Sequence, residues 1–164
     1  MIIYNGNVKE IILILCDIRS IHNVGSIFRT ADAASVEKIY LCGITPSPRD
    51  RFGKFRRDFA KVSLGAEKSV VWIKMYSAVR AIKELRDAGY AICAVEQSKR
   101  SIPYYKMKAG NKKIALVLGN EVKGLPRSIL KCADKILEIP MSGAKESLNV
   151  AVAAGIVLFR MRYL

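Results

Sequence analysis

Three stretches of the chain set polar residues and glycines at places where an apolar run gives way to a helix-like pattern. Asp17 to Ala34 carries Asn23, Gly25 and Arg29. Leu118 to Pro126 contains Gly119-Asn120-Glu121-Val122-Lys123-Gly124, and Ile139 to Val150 contains Pro140-Met141-Ser142-Gly143 followed by Ser147-Leu148-Asn149. Arg29 is a permanent cation with five N–H donors, suited to an anionic oxygen. Asn23, Glu121, Ser147 and Asn149 are further polar candidates, able to orient Arg29 or hold a substrate. Asn23 and Ser147 are equally suited to capping a helix, a role compatible with chemistry. Gly119 and Gly143 lack Cβ, which lets backbone approach a bound molecule or simply lets the chain turn. The common design of the three loops predicts that they meet in space as one active site.

Other chemistries find little support. The four cysteines stand singly, and the lone His22 completes no zinc-ligand spacing with them, so they read as buried reduced thiols and no metal is expected. His22 itself reads as a loop residue beside the site, a base near neutral pH if it acts at all. No Gly-x-Gly-x-x-Gly follows the first apolar run, and no phosphate-loop signature occurs, which weakens dehydrogenase and NTPase readings.

The elements that must position these loops follow from periodicity. Ile11 to Cys16 is apolar without alternation, as in a strand buried on both faces of a parallel sheet. Further strands are predicted over Lys38 to Cys42, Val70 to Ile73, Tyr90 to Val95, Ile114 to Leu118 and Lys135 to Ile139. Helices are predicted after Asn23 as N-cap, over Ser77 to Ala88 with Gly89 closing it, after Pro126, and over Ser147 to about Tyr163. Strands alternating with helices make the fold α/β, one domain over residues 1–164 with a mostly parallel sheet flanked by helices. Ala151, Ala153, Ala154 and Gly155 permit close packing in the terminal helix, within the chain or against a second copy.

Twenty-eight basic residues oppose fourteen acidic ones, a net charge of +14 in 164 residues. Such an excess favours a polyanionic partner, nucleic acid first. It concentrates where Arg49, Arg51, Lys54, Arg56 and Arg57 interleave with Phe52, Phe55 and Phe59, and again where Lys99 and Arg100 precede Tyr104 and Tyr105. Cations can neutralise phosphates while rings stack on unpaired bases. The three phenylalanines also have helical spacing, so one apolar stripe on a helix is the competing reading.

At this point the chain resembles a known family. Asn23-x-Gly25-x-x-x-Arg29-Thr30-Ala31, Leu118-Gly119-Asn120-Glu121-x-x-Gly124-Leu125 and Ile139-Pro140-Met141-x-Gly143-x-x-x-Ser147-Leu148-Asn149-Val150 look like the three motifs of the SpoU (TrmH-type) RNA 2′-O-ribose methyltransferases of the SPOUT superfamily. The resemblance implies S-adenosylmethionine as cofactor, tRNA or rRNA as substrate, a C-terminal deep trefoil knot and a homodimer with its site near the subunit interface. It assigns activation of the ribose hydroxyl to Arg29. It places the cofactor against Val95, Gly119, Asn120, Ile139, Met141, Gly143 and Leu148. About ten residues precede the first strand, so no added N-terminal RNA-binding domain is expected. With no export signal or apolar run of membrane-spanning length, the cytoplasm is the expected location and no membrane partner is expected. A non-catalytic RNA-binding or ribosome-assembly factor with the same fold is the alternative.

Overall fold

Six of the seven residues of β1 (Glu10–Cys16) are buried, and they divide between two cores. Ile11, Leu13 and Leu15 pack into one apolar cluster, while Ile12 and Ile14 pack into another on the opposite face. Alternation of side chains along a strand makes this division, and it explains why the run shows no polar alternation. The structure, a computed structural model, describes residues 9–108, 110 and 112–164. Its strands are β1, β2 (Lys38–Cys42), β3 (Trp72–Met75), β4 (Ala91–Val95), β5 (Ile102–Pro103), β6 (Lys113–Leu118) and β7 (Lys135–Glu138). They form one parallel sheet in the order β3-β2-β1-β6-β4-β7-β5. β6 therefore lies between β1 and β4, and β7 between β4 and β5.

The helices are α1 (Ile21–Ala33), α2 (Arg57–Ser63), α3 (Ala66–Ser69), α4 (Ala78–Asp87), α5 (Arg127–Cys132) and α6 (Val150–Arg162). Apolar residues of α1, α2 and α6 share one cluster; those of α4 and α5 share the other. The Arg162 guanidinium ties the end of α6 to the chain beside β1, donating to the carbonyls of Ala34 at 2.7 Å and Lys9 at 2.6 Å. Burial pushes the Cys16 thiol up to about 11 and Cys42 up to about 12, which keeps both protonated and structural. Among the described residues no helix is long and apolar enough to cross a membrane.

Several sequence expectations are corrected. Ser20, not Asn23, caps α1: its hydroxyl accepts from the Asn23 N–H at 3.3 Å, which frees the Asn23 side chain. α6 begins at Val150 with Asn149 as cap, accepting from Ala151 N–H at 2.8 Å, so Ser147 lies outside the helix. The third strand starts at Trp72, because Ala66–Ser69 closes a short helix with Val70 at its end. The two-residue β5 went unanticipated; a strand so short leaves no periodicity to read.

The phenylalanine stripe, the competing reading of this stretch, does not form. Phe59 is fully buried on α2 and meets Phe28 of α1 edge-to-face at 5.1 Å, but Phe52 is 72% exposed on a turn that precedes the helix. Replacing Phe59 by Ala is expected to cost about 3–5 kcal/mol in urea unfolding, and Phe52→Ala about 0.5 or less. Equal destabilisation by the two would restore the stripe.

Candidate active site

A cleft of about 220 Å³ opens at the carboxyl ends of β4, β6 and β7, where ligands of parallel α/β sheets bind. Val95, Gly119, Asn120, Ile139, Met141 and Leu148 line it, together with Glu121 and Ser147. Of the residues singled out as cofactor-binding or catalytic, Gly143, Arg29, Asn23 and Asn149 do not line it. Leu148 remains 41% exposed at the cleft, an apolar surface that a bound ligand would cover.

The three loops are joined by hydrogen bonds in series. Asn149 Oδ1 accepts from the N-terminal N–H groups of α6, and Asn149 Nδ2 donates to Asn23 Oδ1 at 3.0 Å. Asn23 Nδ2 in turn donates to Glu121 Oε1 at 2.9 Å. The polarity of this chain is dictated from both ends. A carboxylate only accepts, which requires the amino group of Asn23 to face Glu121; helix N–H groups only donate, which requires the Asn149 oxygen to face them. Glu121 also accepts from the backbone N–H groups of Arg19 and Ser20, each at 3.3 Å. Asn120 adds a second link, donating to the Asp17 carbonyl at 2.8 Å while its oxygen accepts from Val122 and Lys123.

Glycine roles differ from expectation. A Cβ on Gly119 would lie 2.8 Å from the backbone of Gly124 and Leu125, so its bareness lets the loop fold back upon itself. A Cβ on Gly143 would meet nothing within 4 Å, and Gly143 contributes no wall. Arg29 stands exposed on α1, roughly 120° around the helix from Asn23, and its guanidinium makes no hydrogen bond or ion pair among the described residues. Glu121 therefore does not orient Arg29 here; its carboxylate is spent on Asn23 and the start of α1. His22 is likewise exposed, in the first turn of α1 rather than in a loop.

Two neighbours escaped the sequence reading. Glu96 Oε2 accepts from Leu125 N–H at 2.7 Å, and Gln97 Nε2 donates to the Glu146 carbonyl at 2.7 Å. Successive residues just past the end of β4 thus hold the second and third loops from opposite sides. The signal was faint: a carboxylate and an amide directly after the five apolar or small residues Ala91–Val95. Asp17, at φ 55°, accepts from Ile44 N–H at 3.0 Å and steadies the first loop.

Burial of Glu121 favours its neutral form, but the Asn23 amide and the backbone N–H groups of Glu121, Arg19 and Ser20 outweigh it and hold the carboxyl below its ordinary value. A depressed folded value means that its stabilising effect is complete above the unfolded value of about 4.3 and fades as pH falls through the folded one. Carboxyl-carbon NMR should show Glu121 titrating higher in Asn23→Ala than in the parent. Asn23→Asp, which sets a second carboxylate against the first, should raise it further. An unchanged titration would remove Asn23 from this network.

Comparison with known proteins bears on family and fold. The sequence profile of the SpoU rRNA Methylase family matches residues 10–159. The 23S rRNA (guanosine-2′-O-)-methyltransferase RlmB of Neisseria meningitidis serogroup B is 32% identical over 161 residues, which cover 98% of this chain and 61% of that protein. The AdoMet-bound rRNA methyltransferase of Sinorhizobium meliloti superposes with a TM-score of 0.85 at 31% identity, over 95% of this chain and 57% of that one. A structure concerned with the 2-OH methylation of C/U34 on tRNA matches at a TM-score of 0.74 and 25% identity, over 96% of both chains. The chain thus spans about three fifths of the curated relative, and with its α/β sheet, its three loops and the profile match it belongs to the SpoU rRNA Methylase family.

Proposed function

We propose that the chain is an S-adenosylmethionine-dependent methyltransferase acting on the 2′-hydroxyl of a ribose in tRNA or rRNA. The observation that carries this reading is the union of the three family motifs through Asn23 beside a cleft of mixed apolar and backbone character. Relatives named for rRNA and tRNA 2′-hydroxyl methylation support the substrate class.

The residues present suit the cofactor. Val95, Ile139, Met141 and Leu148 offer apolar surface to an adenosine, and the backbone at Gly119, Ile139, Met141 and Leu148 offers donors and acceptors to its polar edges. Bound there, S-adenosylmethionine would supply an electrophilic methyl on a sulfonium. The chain's own task is alignment and charge. Alignment of reacting groups can lower a barrier by roughly 7–11 kcal/mol in well-oriented systems. Glu121, Asn23 and Asn149 hold the loops in one geometry, and Ser147 at the cleft can position the target nucleotide. Arg29 is the clamp for an RNA phosphate and the stabiliser of the forming alkoxide. With a pKa above about 12 it is a poor general base.

Arg29 does not line the cleft of its own chain, so the substrate must bring phosphate to it, at a site near the subunit interface of a homodimer. Val152 and Phe159 of α6, 50% and 38% exposed, supply apolar surface for a second copy. The deep trefoil knot belongs to the same reading, and the insertion of β7 between β4 and β5 supports it. Recognition of RNA by the basic surface of this domain, in the cytoplasm, completes the proposal. Arg49, Arg51, Lys54, Arg57, Lys99 and Arg100 are exposed and able to meet phosphates, whereas Arg56 is half-buried and leans on Asp58 at 3.5 Å.

Incubation with methyl-labelled cofactor and total RNA should label ribose; labelled base with unlabelled ribose would refute the assignment. Arg29→Ala should lower transfer about a hundredfold or more with calorimetric cofactor affinity unchanged. Retained turnover would take Arg29 out of the mechanism. Charge reversal at Lys54 and Arg57 should flatten the dependence of log K on log salt, by about 0.7 for each single-strand phosphate that is no longer neutralised. An unaltered slope would return that stretch to a merely solvated role.

A further inference from the structure

Phe52 is exposed over 72% of its surface and lies outside both apolar clusters. Its placement is not the result of a loose loop. The turn around it is held by Arg56 N–H to Pro48 carbonyl at 2.9 Å, Asp50 N–H to Lys54 carbonyl at 2.9 Å and Gly53 N–H to Asp50 carbonyl at 3.1 Å. Asp50 Oδ1 accepts from the N–H groups of both Phe52 and Lys54, at 2.8 and 3.0 Å, and Arg49 donates to the Gly53 carbonyl at 2.7 Å. Gly53 sits at φ +77°, a conformation that L side chains rarely adopt. Arg49 and Phe55 close the turn as an antiparallel bridge. Beyond it, Phe59 anchors α2 to Phe28 of α1, the helix that also carries Arg29.

The two exposed rings differ in how they are covered. The Arg49 guanidinium lies over Phe55 at 4.1 Å from its centroid, with the Lys68 ammonium at 6.0 Å. Among the described residues Phe52 has only Arg51 over it, at 4.7 Å, and is left mostly open to solvent. Beside the rings, Arg51, Lys54, Arg56 and Arg57 border an open concavity of about 600 Å³. The two nearby acids are already engaged, Asp50 with the turn backbone and Asp58 with Arg56 and its own helix start. A well-tied turn that offers an exposed aromatic ring amid Arg51, Lys54 and Arg57, which pair with no acid among the described residues, matches the chemistry of single-stranded nucleic acid, where bases stack and phosphates are neutralised side by side.

We propose that the Arg49–Arg56 turn is a stacking platform for an unpaired nucleobase, with Phe52 as the ring that receives it and Arg51 behind that ring. This deepens the reading of the chain as an RNA-acting enzyme, on which it rests, by naming unpaired rather than duplex RNA as what the surface grips. Duplex bases have no free face to give, so Phe52 contributes nothing to them.

The test uses the full chain, a short uridine-rich RNA single strand containing one 2-aminopurine, and an RNA duplex of equal length. The parent should quench the 2-aminopurine on binding. Phe52→Ala should abolish the quench and weaken single-strand binding about ten- to hundredfold, with duplex binding and the salt slope unchanged. Phe52→Trp should restore both quench and affinity. Because Phe52 lies outside the core, circular dichroism and the thermal midpoint should not move. Equal effects on both RNAs, no effect on either, or no binding of the single strand by the parent would overturn the platform. So would Phe52-dependent binding to phosphatidylglycerol vesicles without single-strand binding, which would assign the tip to a membrane surface. Methyl transfer to total RNA is measured in parallel. Transfer absent with the Phe52 effect intact defeats the enzymatic reading alone; transfer present without a Phe52 effect defeats the platform alone.

Discussion

One side-chain amide, that of Asn23, carries the link on which the site depends. It joins residues 98 positions away on one side and 126 on the other, Glu121 and Asn149. Each partner is fixed by something that cannot reverse: a carboxylate with no proton to give, and a helix terminus whose N–H groups have no other intrahelical acceptor. The amides between them have one orientation in which each link pairs a donor with an acceptor. Such a chain is specific in direction as well as in partner; without it the first two loops keep their backbone links through Asn120 and Glu121, but the third loses its bond to the first.

The parallel sheet makes the link geometrically available. Placing β6 beside β1 brings the Gly119–Gly124 turn against the Asp17–Asn23 loop, and Asn120 fastens the two through the Asp17 carbonyl. Glu96 and Gln97 act from the far side, one on each remaining loop. The cleft is then bounded by loops that are each held twice. This preorganisation suits the aligned methyl transfer proposed above.

Much of this was legible before the structure. Buried runs such as Ile11–Cys16 identify a central parallel strand by composition alone, and the loops after Leu118 and Ile139 stand out by their glycines and polar residues. Other features were hidden for physical reasons. Whether Ser20 or Asn23 caps α1 depends on which side chain finds a better partner elsewhere, and that partner is 98 residues away. Helical spacing of Phe52, Phe55 and Phe59 misled because Gly53 and the Asp50 side chain favour a tight turn over helix, a local preference that periodicity ignores. The bareness of Gly119 was visible, but only packing shows that it serves the loop's own return.

The three joined loops are proposed to form one cofactor site. A crystal structure of the chain with S-adenosylhomocysteine tests it most directly. The adenosine should lie in the cleft against Leu148, Met141 and Ile139, with the Asn149–Asn23–Glu121 bonds intact. Ligand density elsewhere, or loops that part when the cleft is filled, would contradict it.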